Sequence, residues 1–269
     1  MSTSISDKLL ILKALDKPLF NETERIRFLS KPFERLADQI AFETPLHTWG
    51  TVCDYLGEGR RSSYRIPKGS HVPMGDVSKT AFYSCEITSK RTGQTIQVHL
   101  VREPVDRFEA DAVINAANEV LLGGGGVDGR LHTGAGPNLV KECALHDGCE
   151  IGEAVITKGY DLPEKYVLHT VAPLLKSNGK GDSEALKACY DSCLSLCDEF
   201  RLKSVVVPCV GCGFYAFPLD ESARVVKEVL QNYVDRGLSN VDTVILSLRK
   251  PTEVKAYLEA FKMKTEEKG

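Results

Sequence analysis

Ala110 to Gly136 reads ADAVINAANEVLLGGGGVDGRLHTGAG, and the rest of the chain is arranged around it. Asp111-Ala112-Val113-Ile114 is a short run of small and β-branched apolar residues, which predicts a buried strand. At Asn115-Ala116-Ala117-Asn118 two amides bracket two small residues, and there the strand is expected to end and polar chemistry to begin. Four consecutive glycines, Gly123 to Gly126, follow. Backbone without Cβ atoms takes positive φ freely and lets a ligand come close to its N–H groups. Asp128 stands directly after them, at the start of a helix expected near Gly129, for which it is also a candidate N-cap. A loop of bare amides leading into a helix N-terminus suits a phosphate or diphosphate.

Two generic phosphate motifs do not account for the loop. Gly124, Gly126 and Gly129 satisfy the GxGxxG spacing, but in a dinucleotide fingerprint that spacing follows its strand at once, and here Asn115 to Leu122 intervene. Gly124 to Gly129 also has the glycine spacing of a Walker A loop, yet Arg130-Leu131 occupies the places of the required Lys and Ser/Thr.

Outward from this stretch, strands and helices alternate. Ala81 to Ile87 and Thr95 to Val101 predict an antiparallel hairpin around Ser89 to Gly93. After the signature come a helix through Asn138 to Ala144, strands at Ala154 to Lys158 and Tyr166 to Val171, and a helix from Ser183 to Phe200. A buried strand at Ser204 to Cys209, a helix from Leu219 to Asp235 closed by Gly237, a strand at Val241 to Leu248 and a helix from Thr252 to Lys262 complete the pattern. This order argues an α/β sandwich whose sheet is mostly parallel with a mixed edge. Such sheets carry ligand loops at the carboxyl ends of their strands, where Asn115, the glycine run and Gly211 fall.

Residues 1–79 read as an N-terminal extension packed on a main domain at 80–269. Leu9, Leu10, Leu12 and Leu15 form one apolar cluster, and Ile26, Phe28, Leu29, Phe33, Leu36, Ile40 and Phe42 a second with helical spacing. Glu43 to Lys79 is rich in Gly, Pro, Ser and charge, the composition of a long loop anchored by Trp49, Tyr55 and Tyr64.

The chain has 269 residues, 42% of them hydrophobic and 26% charged, ordinary for a globular protein with a sizeable core. A net charge of −3 gives no general drive toward nucleic acid or anionic lipid. No apolar run approaches the roughly 20 residues of a membrane span. Nine cysteines, an odd number, with no signal-peptide pattern in front, predict reduced thiols in an intracellular, cytoplasmic setting. Cys189, Cys193 and Cys197 recur every fourth residue and read as a buried helical stripe. Cys209-x-x-Cys212 invites a redox or zinc reading, but no second ligand pair completes a metal site.

INAANEVLLGGGGVDGRLHTGAG resembles the signature of macrodomains of the MacroD type, and Gly152 to Pro173 and Val205 to Ala223 continue the likeness, which covers about Gln97 to Lys262. The resemblance implies a three-layer α/β/α macrodomain that removes mono-ADP-ribose from acidic side chains of proteins without a cofactor or metal, and that also deacetylates O-acetyl-ADP-ribose. It implies a catalytic role for Asp128, which would orient a water against the substrate diphosphate, with the phosphate sharing the role of base. Asn118 would meet the distal ribose, since an amide both donates to and accepts from a diol. Asn115 would tie the loop together, and either amide has the alternative role of a satisfied turn residue. His132, four residues after Asp128 on the same helical face, reads as a support.

The first phosphate loop would be Gly123, Gly124, Gly125, Gly126 and Val127. The second would be Gly211, Cys212, Gly213, Phe214 and Tyr215, where Gly-Cys-Gly replaces the family's Ser-Thr-Gly and Tyr215 packs on the distal ribose. Toward the adenine, Pro104 stands where relatives carry Asp, leaving Glu103, the Val105 amide and Arg249 as candidate contacts. The expected partners are ADP-ribose and mono-ADP-ribosylated proteins, with neither membrane nor nucleic acid. Three rivals are an ADP-ribose reader without activity, a thiol or zinc protein, and an RNA-binding protein.

Overall fold

The computed structural model describes residues 70–146, 148–176, 179–237 and 239–262. The apolar clusters expected between Leu9 and Phe42, and the loop anchors Trp49, Tyr55 and Tyr64, lie outside the described residues. The described chain begins with a 3₁₀ turn, Met74–Asp76, and a short helix α1, Val77–Thr80. The elements that follow are β1 Tyr83–Thr88, β2 Thr95–Val101, a 3₁₀ turn Val105–Arg107, β3 Ala112–Ala117, α2 Gly126–Ala135 and α3 Pro137–Cys143. Then come β4 Ala154–Lys158, β5 Tyr166–Val171, α4 Ser183–Glu199, β6 Ser204–Pro208, α5 Leu219–Arg236, β7 Thr243–Ser247 and α6 Pro251–Lys262.

The strands form one seven-stranded sheet in the order β1-β2-β7-β6-β3-β5-β4. The five central strands run parallel, and β1 and β4 are each antiparallel to their neighbour. Alternation along the strands sorts side chains into two cores, as a period of two requires. Ile114, Leu168, Val205, Val207, Val244 and Leu246 face α4, α5 and α6, whereas Val113, Val167, Val206 and Ile245 face α1, α2 and α3. The result is the expected three-layer sandwich. On α4 the buried stripe is Leu186, Cys189, Tyr190, Cys193, Leu194 and Cys197, so the three cysteines pack as apolar side chains. α5 ends at Gly237, whose φ of 82° breaks the helix.

Two boundaries near the signature differ from expectation. β3 continues through Asn115 to Ala117, because Asn115 has a polar partner in the next strand: it sits in register with His169 of β5. Asn115 and His169 share the parity of Val113 and Val167, so both side chains enter the layer beneath α2 and α3. α2 starts at Gly126 with Gly125 as its N-cap, which places Asp128 inside the first turn instead of at the cap.

Residues 70–80 belong to the same body. Val72 bridges to Phe108, and Val77 is buried in the core under α2. No helix among the described residues is long and apolar enough to cross a membrane.

Candidate functional site

β2, β7, β6, β3 and β5 are parallel, so their carboxyl ends share one edge of the sheet, and the loops leaving that edge enclose a cavity of about 370 Å³. Its walls come from two loops. The β3–α2 segment supplies Ala116, Ala117, Asn118, Gly124, Gly125, Gly126, Val127 and Asp128, and the β6–α5 segment supplies Cys209, Gly211, Gly213, Phe214 and Tyr215, with Ala172 after β5 between them. The N–H groups of the first turn of α2 have no intrahelical acceptor, and the N-cap residue, Gly125, has no side chain to cap them. They face the cleft together with the positive end of the helix dipole, which favours an anionic ligand.

Close packing holds this loop against its helix. A Cβ at Gly129 would lie 2.3 Å from the Gly124 carbonyl oxygen, so only glycine lets the first turn of α2 sit against the glycine run. Asn118 fixes the other end: its Nδ2 donates to the Gly123 carbonyl at 2.9 Å, and its Oδ1 accepts from the Leu121 amide at 2.9 Å. Both ends of this amide are thus used inside the loop, although the side chain still lines the cleft.

Asp128 is held from behind. Its Oδ1 accepts from Asn115 Nδ2 at 2.7 Å and lies 3.3 Å from His132 Nε2, and the side chain is only 5% exposed. Asn115 Nδ2 is also 3.0 Å from His169 Nδ1, whose other ring nitrogen is 2.8 Å from Thr157 Oγ1. One orientation satisfies all of these contacts. Turning the amide over would set Asn115 Oδ1 against the carboxylate, so Nδ2 donates to both partners, His169 Nδ1 accepts, and Nε2–H donates to Thr157. Burial, reinforced by the nearby His132, pushes His169 down from 6.5 to about 3, so it stays neutral. Asn115 Oδ1 is buried without a hydrogen-bond partner among the described residues, an unpaired acceptor that accompanies the double donation of Nδ2.

His132, Cys143 and His169 bring potential ligand atoms within 4.8 Å of one another in this buried layer. Both nitrogens of His169 are already engaged, and Cys143 Sγ lies 3.7 Å from its Nε2, so the group is built as a hydrogen-bonded network.

In the second loop Phe217 donates from its amide to the Gly211 carbonyl at 3.0 Å, and Leu175 donates to Tyr215 at 3.1 Å. Phe214 is 64% exposed at the mouth, with its ring 6.1 Å from that of Tyr215. Of the sequence candidates, Asn118, Gly124 to Asp128, Gly211, Gly213, Phe214 and Tyr215 line the cleft. Gly123 lies just behind it, as the acceptor for Asn118, and Cys212, outside the lining, packs against the core shared with α4, α5 and α6. Asn115 stands wholly beneath the cleft. Glu103, Val105 and Arg249 are not in this wall. They follow the ends of β2 and β7, further along the same edge, where the Glu103 carbonyl accepts from Ser247 Oγ at 2.7 Å. At roughly 4.8 Å per strand, the edge from β3 to β2 spans about 14 Å, the length of a dinucleotide-sized ligand.

Sequence reading missed Cys209 and Ala172 as lining residues, and His169 and Thr157 as supports. A histidine inside the otherwise apolar strand YVLHTV was the available signal for His169.

A model described as Macro domain matches residues 114–226. The human "ADP-ribose glycohydrolase MACROD2" is 38% identical over 209 residues, covering 74% of this chain and 49% of that protein. A "Macro domain-containing protein" of Methanosarcina mazei is 42% identical over 139 residues, covering 50% of this chain and 74% of its own length. This chain spans about half the length, or less, of the vertebrate relatives it matches first. Among solved structures, a Trypanosoma brucei macrodomain in complex with ADP-ribose superposes with a TM-score of 0.65 at 28% identity, over 93% of this chain and 94% of that one.

Proposed function

The chain belongs to the macrodomain family, and from that premise we propose that its cleft holds ADP-ribose and that the protein hydrolyses mono-ADP-ribose from acidic side chains of modified proteins. The observation that carries this reading is the placement of Asp128. A module that only holds its ligand has no need of a nearly buried carboxylate pinned at 2.7 Å by a second buried side chain beside its anion loop.

In this proposal the diphosphate lies across the first-turn amides of α2 and the β6–α5 loop, with the distal ribose between Asn118 and Tyr215. The base end runs toward Glu103, Val105 and Arg249. A water held between Asp128 and the diphosphate attacks C1″, the bond from C1″ to the protein carboxylate breaks, and the carboxylate leaves with the bonding pair. The proton of the water passes to Asp128 or to a phosphate oxygen. Positioning supplies most of the acceleration, and the loop amides stabilise the charge that develops. The same arrangement serves O-acetyl-ADP-ribose, whose ester also sits on the distal ribose. The described cysteines are free thiols, which suits the intracellular setting we propose for the protein.

The test is release of label from defined Glu-, Ser- and Arg-linked ADP-ribose conjugates. Asp128→Ala is expected to lower turnover of the Glu-linked conjugate by about 10²- to 10⁴-fold while still binding ADP-ribose in calorimetry. Binding without release by the unaltered protein, unchanged by the substitution, would replace the hydrolase with a reader.

A further inference from the structure

Cys209 lines the same cleft and Cys212 follows it three residues on in the second loop, and the proposed reaction uses neither thiol. They are the ends of a four-residue turn closed by a hydrogen bond from the Cys212 amide to the Cys209 carbonyl at 3.2 Å. Such a turn keeps its end Cα atoms within about 7 Å, and a disulfide needs about 4.4–6.8 Å, so the two can be joined with little backbone movement. Cys209 lines the cavity, both residues are partly exposed, and the Cys212 thiol turns back over the turn to lie 3.7 Å from the Val210 carbonyl oxygen.

We propose that Cys209 and Cys212 are a peroxide-oxidisable thiol pair whose disulfide deforms the second anion loop and weakens ligand binding. The chemistry takes two steps and one hydroperoxide. The Cys212 thiolate attacks one peroxide oxygen, the O–O bond breaks, and hydroxide or alkoxide leaves, giving a sulfenic acid. The Cys209 sulfur then attacks the Cys212 sulfur, the S–O bond breaks, and the hydroxyl departs as water with the Cys209 proton. Two thiols are oxidised and one peroxide is reduced, and a dithiol reductant reverses the change.

The surroundings assign the two roles. Hydrogen bonds from Cys209 and from Ser222, with Lys250 nearby, hold the Cys212 thiol below its ordinary range, whereas the bond to Cys212 and burial push Cys209 up. Cys85, Cys149, Cys189, Cys193 and Cys197 are all pushed up by burial, which leaves Cys212 as the reactive thiol among these. The consequence reaches the ligand because Gly211 lies between the two cysteines in sequence and Gly213 directly after them, and both glycines line the cleft. A bond across the turn pulls on the backbone amides that would face the diphosphate.

The effect on binding rests on the reading that this cleft holds ADP-ribose, so two readouts are kept apart. The full chain is treated with hydrogen peroxide, digested without reduction and mapped by mass spectrometry, and ADP-ribose affinity is measured by calorimetry before oxidation, after it, and after dithiothreitol. A linked Cys209–Cys212 peptide is expected, with affinity lowered about tenfold and restored by the reductant. In Cys212→Ser, whatever its own affinity, peroxide is expected to change nothing. Absence of the linked peptide overturns the proposal, as does a linked peptide with unaltered affinity. Failure of the reduced protein to bind ADP-ribose overturns the functional reading instead, while the peptide map still decides the thiol chemistry.

Discussion

At the scale of single residues, Asn115 carries more than its place in the sequence suggests. Its one NH₂ group donates to Asp128 and to His169, both buried. Asn115→Ala removes both hydrogen bonds, leaving the His169 acceptor unpaired and Asp128 with His132 alone, and is expected to cost about 2–3 kcal/mol of stability in a urea melt. Single-turnover hydrolysis is expected to fall further than ADP-ribose affinity, because the carboxylate loses its aim before the loops lose their amides. His169 sets a pH dependence. It stays neutral in the folded chain down to about pH 3, whereas in the unfolded chain it takes up a proton near 6.5. Between those values the unfolded state binds more protons, so stability declines as pH falls through that window and this contribution stops changing below it. His169→Gln is expected to show a smaller loss of urea midpoint between about pH 7 and about pH 4.5 than the unaltered chain.

At the scale of elements, the glycine run and α2 act as one piece. Gly129→Ala drives a Cβ to within 2.3 Å of the Gly124 carbonyl, so the loop or the helix must move. ADP-ribose affinity is expected to drop about tenfold by calorimetry. Gly75→Ala, where a Cβ meets nothing within 4 Å, is the control and is expected to leave affinity unchanged. This region also marks where sequence reading reaches its limit. Strands and helices were legible because their apolar periods are strong: β4 at Ala154–Lys158 and β5 at Tyr166–Val171 fall where periodicity places them. Asn115 misleads such reading, since a polar residue signals a strand end unless a partner such as His169 stands beside it, and that partner lies 54 residues away. The start of α2 misleads it too, because Gly125 and Gly126 have poor helix propensity, and what holds the turn in place is the contact of Gly129 with Gly124 further on. The cleft's composition was legible through its two glycine loops. The supports beneath it were not, because they depend on which strands are neighbours.

At the scale of the whole molecule, the order of strands puts every loop of the site on one edge of the sheet, with β1 and β4 closing the sides. Sequence alone reads residues 1–79 as an extension packed on a main domain that starts at residue 80, and Val72 and Val77 of that extension pack on the body formed by the sheet and its helices. A chain begun at Ala81 is therefore expected to be about 2 kcal/mol less stable than one begun at Ser70, as read from chemical denaturation. Asn115 and His169 are paired residues of β3 and β5, so the bearing of the reacting group is inherited from how two interior strands mesh. Random mutagenesis scored by turnover alone would therefore implicate apolar positions far from any substrate. A folding assay run on the same library is what separates broken scaffolding from broken chemistry.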